Sequence, residues 1–452
     1  MLIGQTTDQK KQDVERASQL LQEQEIQSVR VEWCDIHGAS RGKQMSAGHF
    51  LSAIESGTTF SSAALQMDLQ GEAYHMPGQP PSHSWVSLIA QPDVSTLQPF
   101  VADPGVARCL ADLRTVEGSP VGMSPRHALR RVVDEGHRMG LHASVGLELE
   151  FYLLPGETDR RQPPARHVYR MQSSEEEHRF LAPLYGQMAA AGIGLEALCA
   201  EDGPGQFELI LQRGDPITVA DAAFTARNLV KELASRQGLI ATFLSRPLPD
   251  HSGSGAHIHQ SLWTASGEPL FTSGSGEGDA PFWQFLSGQL RHFQEAAALY
   301  LPTINAYKRL ALRQPEPLRV DWAYEDRSAA LRVLGSSSRS LRIENRAVAG
   351  EANPYLSLAA ALATGFEGIR NRETLPGFSQ RTHDNTSSNP STGGPLPRTL
   401  GDALAALSAS TIIRLWLGSE IIDAFLYLKG MEVRRYETAI TDWELREYLT
   451  SL

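Results

Sequence analysis

Between Asp13 and Gln24, Val14, Ala17, Leu20 and Leu21 recur at three- and four-residue spacing among charged and amide side chains, which predicts an amphipathic opening helix. The pattern then changes. Short apolar runs such as SVRVEWCDI, interrupted by glycine and proline, predict a small strand-rich unit reaching about Leu113. In SPRHALRRVVDEGHRMG a serine precedes a proline at the first helical position and a glycine stands at the end, so Ser124 to Gly140 reads as a capped helix opening a second unit. Strands and helices alternate irregularly beyond it. Residues 378–399 are polar and rich in Ser, Pro and Gly, as expected of a long surface loop, and helices close the chain. The expected division is 1–113 and 114–452, which suits a chain too long for one core.

Composition narrows the function classes. A formal net charge of -11 argues against general attraction to nucleic acid or anionic lipid, while leaving room for a local arginine cluster that holds phosphates. Cys34, Cys109 and Cys199 lack CxxC spacing, which fits a reducing compartment and reads as ordinary core or surface thiols. No apolar run approaches the roughly 18 residues of a membrane span, and the N-terminus lacks a signal-like apolar stretch, so the expected location is cytoplasmic.

Candidate chemistry lies in a few segments. In ASVGLELEFYLL, Glu148 and Glu150 share one face of a strand-like run. At about 4 Å and an effective dielectric near 20, two carboxylates repel by roughly 4 kcal/mol, so a shared cation is the obvious neutraliser, with a wet edge strand as the alternative. EDGPGQFELI carries a second acidic pair, Glu201 and Glu208, around a Gly-Pro-Gly turn. GSGAHIHQSL places His257 and His259 on one strand face after a glycine-rich turn, a shape suited to metal or phosphate, or to a purely structural pair. LRIENRAVAG repeats the alternation with Arg342, Glu344 and Arg346, and Arg309, Arg327, Arg332 and Arg339 lie close upstream. Such a cluster needs anions opposite it, whether glutamates from other segments, a nucleotide or an acidic substrate.

Taken in order, GLELEF, EDGPGQFE, GSGAHIHQSL, NAYKRL, DRSAALR and RIENR followed by ANPYL resemble the signature blocks of the glutamine synthetase family, with weaker likeness from about Val29 to the C-terminus. The resemblance implies an α+β fold: a small N-terminal β-grasp domain, then a catalytic domain with an antiparallel half-barrel and flanking helices. It also implies a hexamer or dodecamer with active sites between subunits. Carried over by motif, Glu150, Glu201 and Glu208 would hold one Mg²⁺ or Mn²⁺, and Glu148, His257 and Glu344 a second. His259, Arg327 and Arg332 would meet the phosphates of ATP, and Ser261 would lie near the nucleotide. Gly253, Arg309 and Arg346 would orient glutamate. The implied reaction activates the glutamate γ-carboxylate as an acyl phosphate, which an amine displaces.

The chain departs from the family at two positions that serve ammonium. Ser61 in GTTFSSAAL stands where an aspartate is expected, and Pro315 in LRQPEPL where a glutamate is expected, with Glu316 beside it. Loss of both acids resembles the amine-using branch, which joins glutamate to polyamines, alkylamines or aromatic amines. The alternatives are an ammonia-using synthetase in which Glu316 takes the lost role, and a ring-forming homologue without catalysis. Ser252 stands where the family often has asparagine. No tyrosine lies between Arg372 and Leu400, so adenylylation there is not expected.

Overall fold

The computed structural model describes residues 7–76, 85–100, 102–156, 168–171, 175–272, 280–310, 319–374 and 394–451. Pro315, Glu316 and most of the 378–399 stretch lie outside these. The opening helix spans Thr7–Glu23 and buries Ala17 and Leu21.

Six strands form the first sheet: β1 (Ser28–Cys34), β2 (Ser40–Ser46), β3 (Thr58–Ser61), β4 (Ser87–Pro92), β5 (Gln98–Pro99) and β6 (Val106–Thr115). Their order is β2-β1-β6-β4-β3, with β5 also on β6. Only the β1–β6 pair is parallel. The helix Ala47–Ser56 buries Phe50, Ala53 and Ile54 in the core that this mixed sheet covers, a β-grasp arrangement. Ser46 caps it by accepting from the His49 N–H.

Eight strands form the second sheet: β7 (His142–Pro155), β8 (Leu195–Ala200), β9 (Gln206–Leu211), β10 (Leu239–Thr242), β11 (Ala256–Trp263), β12 (Trp322–Tyr324), β13 (Leu331–Leu334) and β14 (Arg342–Asn345). Their order is β12-β13-β14-β11-β7-β9-β8, with β10 also on β7, and the sheet curls into a half-barrel. Period-two patterning decides which face is wet. Val145, Leu147, Leu149, Phe151 and Leu153 of β7 enter the large core, each contributing about 1.5–3 kcal/mol on burial, so Glu148 and Glu150 are left on the opposite face.

Helices cover the apolar side. As the sequence suggests, Ser124 caps the helix Pro125–Arg138 and Gly140 follows it with a left-handed φ of 75°. The helix Pro354–Arg370 is apolar nearly all round and buried over most of its length, as a central core helix must be. Its cap, Asn353, accepts from the Tyr355 and Leu356 N–H groups and donates to the Asp35 carbonyl at 2.8 Å, tying the two sheets together. Arg126 makes a second tie through Asp93, Asp112 and Asp221, each at 2.7 Å. No single described helix is long and apolar enough to cross a membrane.

Candidate metal and nucleotide centre

The polar face of the half-barrel gathers the glutamate and histidine pairs through strand register. Glu148 of β7 pairs with His257 of β11, Glu150 of β7 with Glu208 of β9, and His259 of β11 with Glu344 of β14. The Gly-Pro-Gly turn returns Glu201 to the same place, so residues far apart in sequence meet across four strands. Three overlapping groups each bring their ligand atoms within 4.8 Å of one another: Glu148, His257 and Glu344; Glu150, Glu208 and His257; and Cys199, Glu201 and Glu208.

Charge on this face is unevenly balanced. His257 Nδ1 lies 3.2 Å from Glu148 and 3.7 Å from Glu344, while its Nε2 lies 3.8 Å from Glu150. His259 Nε2 lies 2.9 Å from the other Glu148 oxygen. Burial opposes the Glu148 charge, yet these two imidazoles outweigh it and hold the carboxyl well below the usual range. At the other end His257 offsets too little. Burial, then Glu148 and Glu150, push Glu208 up to about 8; burial likewise raises Glu201. Glu208 is 8% exposed, and the Cys199 thiol faces it at 3.5 Å.

Crowded, desolvated carboxylates with one imidazole form a donor set suited to hard divalent cations, which supply the missing positive charge. The residues present therefore fit divalent-metal binding.

The arginines divide into different tasks. Arg332 Nη1 reaches Glu344 at 3.2 Å and Arg346 pairs with the other Glu344 oxygen. Arg342 Nε points at His259 Nδ1 from 3.3 Å, fixing the ring from behind. Arg327 hydrogen bonds with Tyr169 through its side chain, which raises its pKa, and senses Glu344 and Glu201. Arg339 is exposed. Arg309 is 2% exposed and donates to the carbonyls of Val348 and Arg346, both at 2.9 Å. It therefore braces the turn after β14. Gly253 is required beside it, because an added Cβ would lie 2.5 Å from Arg309 Cγ and 2.8 Å from the Ser245 carbonyl.

Ser261 lies further along the histidine face, hydrogen-bonded to the Ser144 carbonyl and to Trp263 Nε1. Ser252 Oγ donates to Asp202, and its carbonyl accepts from Tyr152. Ser61 belongs to the first sheet, where it caps residues 62–65.

Two residues of this face escape a reading by motif. Gln206 donates to the Gly253 carbonyl at 2.8 Å and to Glu150 at 3.4 Å, linking the acidic strand to the glycine turn. Its place two residues before Glu208 was the available signal. Cys199, expected to be an ordinary thiol, faces the carboxylates because β8 pairs it with Glu208. Only the register reveals that.

Residues 122–448 match the family described as glutamine synthetase, catalytic domain. Among curated relatives, glutamate–isopropylamine ligase of a Pseudomonas species is 29% identical, covering 98% of this chain and 99% of its own. Gamma-glutamylethanolamide synthetase of Streptomyces coelicolor is 31% identical, with 96% and 95% covered. The ligand-free structure of GmaS superposes with a TM-score of 0.82 at 30% identity, covering 96% of this chain and 99% of that one. Glutamine synthetases themselves match at similar identity.

The fold, the family match and the ligase relatives together define an ATP-dependent carbon–nitrogen ligase. The chain belongs to the glutamine synthetase family, whose ligases use ATP and divalent metal ions.

Proposed function

We propose that the protein joins the γ-carboxylate of glutamate to a primary amine through γ-glutamyl phosphate. The observation that carries the proposal is the convergence of Glu148, Glu150, Glu201, Glu208, His257 and Glu344 beside arginines, a face built to collect cations and polyphosphate. Divalent ions, Mg²⁺ or Mn²⁺ and at least two per site, would neutralise the terminal phosphate. Glu150, Glu201 and Glu208 would hold one, and Glu148, His257 and Glu344 another. Arg327, Arg332 and His259 would face the phosphates, with Ser261 toward the nucleotide; Gly253, Arg309 and Arg346 would shape the place of glutamate. Arg309 would act there by holding the carbonyl turn that presents Arg346. No protein nucleophile is needed, because the substrate carboxylate attacks ATP and the uncharged amine then expels phosphate.

Amine rather than ammonia is favoured by Ser61 and Pro315, which lack the negative charge that would attract ammonium. The similarity to isopropylamine- and ethanolamine-linked relatives supports the same choice. In an assay of phosphate release from ATP with glutamate, alkyl, polyamine and aromatic amines are expected to outperform ammonia. Ammonia proving the best nucleophile would overturn the amine assignment and leave the ligase class intact. We further propose a homo-oligomeric ring, hexamer or dodecamer, with the site completed between subunits, in the cytoplasm.

The crowding around Glu208 gives a second test. Glu208→Gln replaces a carboxyl whose ionised form burial, Glu148 and Glu150 disfavour, so the metal-free variant is expected to be at least as stable as the wild type. Mn²⁺ at 100 times its Kd should stabilise the wild type by about 2.7 kcal/mol and the variant far less, read by thermal unfolding. Equal stabilisation of both would remove Glu208 from the ligand set.

A further inference from the structure

The position of Cys199 carries more than the family pattern does. On three neighbouring strands Cys199, Glu208 and Glu150 are direct cross-strand partners, so their side chains share one row on the wet face. Cys199 Sγ lies 3.5 Å from Glu208 Oε2, and Sγ and the Glu201 and Glu208 oxygens lie mutually within 4.8 Å. A sulfur at about 2.3 Å and an oxygen at about 2.1 Å from one ion, at a tetrahedral angle, are about 3.6 Å apart. The observed separation already matches two donors of a single cation. Glu208 is buried, and among the described residues this thiol is the hydrogen-bond donor to its carboxylate.

The other two cysteines differ. Cys34 meets the Asn353 amide and the Asp35 carbonyl, and Cys109 meets the Asp93 carbonyl; neither falls in a metal-ligand group among the described residues.

We infer that Cys199 is a sulfur ligand at the Glu201–Glu208 end of the cation face and tilts that position from Mg²⁺ toward thiophilic divalent ions such as Co²⁺, Zn²⁺ and Cd²⁺. This inference rests on the metal-site reading above and deepens it. Ligation exchanges the thiol proton for the metal: the S–H bond breaks, the metal–sulfur bond forms, and one proton leaves to solvent with no change of oxidation state. Thiolate sulfur favours soft ions, whereas Mg²⁺ is held by oxygen, so the sulfur changes the ranking of ions without changing the carboxylates.

The test uses full-length protein stripped of metal and titrated with CoCl₂. A near-ultraviolet sulfur-to-cobalt charge-transfer band, removed by chelator, is expected in the wild type and absent in Cys199→Ser. Competition binding should show that the variant loses roughly tenfold or more in Cd²⁺ affinity while Mg²⁺ affinity is unchanged. Should the variant fail to fold, the wild type decides alone: bound Co²⁺ must give the band and protect Cys199 from alkylation. Co²⁺ binding with neither band nor protection overturns this inference and leaves the ligase reading standing. Absence of any Co²⁺, Mn²⁺ or Mg²⁺ binding overturns both.

Discussion

Glu148→Gln is expected to lower ATP-dependent ligation by about 10²–10³-fold, the scale of losing one preorganised electrostatic stabiliser of a transition state, here exerted through the cation that Glu148 is proposed to hold. The substitution keeps the shape of the side chain, so the loss reports charge. Glu148 occupies the middle of the polar face, with His257 and His259 on its two oxygens. The wild-type carboxylate stays ionised against burial because those imidazoles hold it so. An amide offers one neutral oxygen and a weaker pull on both rings, and the ion proposed to be shared with His257 and Glu344 would lose one of its three protein ligands. Phosphate release with saturating ATP, glutamate and amine, alongside circular dichroism to verify the fold, measures this. Retention of more than about a tenth of wild-type turnover would show that Glu148 does not act as a metal ligand.

Arg126→Ala is expected to destabilise the chain by about 3–5 kcal/mol, the cost of breaking a buried ion network from one side. The Arg126 side chain is 5% exposed and bridges Asp93 and Asp112 of the first unit to Asp221 of the second. Without it Asp221, 12% exposed as a side chain, keeps the Tyr355 hydroxyl at 2.7 Å and faces Asp93 as a like charge. Burial already raises the Asp221 pKa despite Arg126, so the unpaired carboxylate would be protonated more readily still. Asp112→Ala should cost less, because that carboxylate is 30% exposed and water replaces its partner. Thermal or urea unfolding compares the two. Similar small losses for both would mean that the network is not a structural tie.

The features legible in the sequence are those where local periodicity and burial agree. The run of β7 has a strict two-residue alternation, and its apolar residues can only point at the core, so the facing of Glu148 and Glu150 follows at once. The same logic covers His257 with His259. Ser124 and Gly140 mark a helix by backbone chemistry alone. What could not be read depends on which strand neighbours which. Cys199 is two residues from Glu201, but nothing local shows that it stands opposite Glu208 in an adjacent strand. Arginines were the least legible, since a long flexible side chain chooses among distant partners: Arg309 turns to carbonyls, Arg332 and Arg346 to Glu344, and Arg342 to His259.

The central claim, that six side chains on one sheet face collect divalent ions around a nucleotide's phosphates, is tested most directly by counting Mn²⁺ bound per subunit by electron paramagnetic resonance, with and without a non-hydrolysable ATP analogue. At least two tightly held ions are expected, with one lost in Glu344→Gln and binding strengthened by the nucleotide. No tight Mn²⁺ in the wild type, or identical binding in the variant, would contradict it.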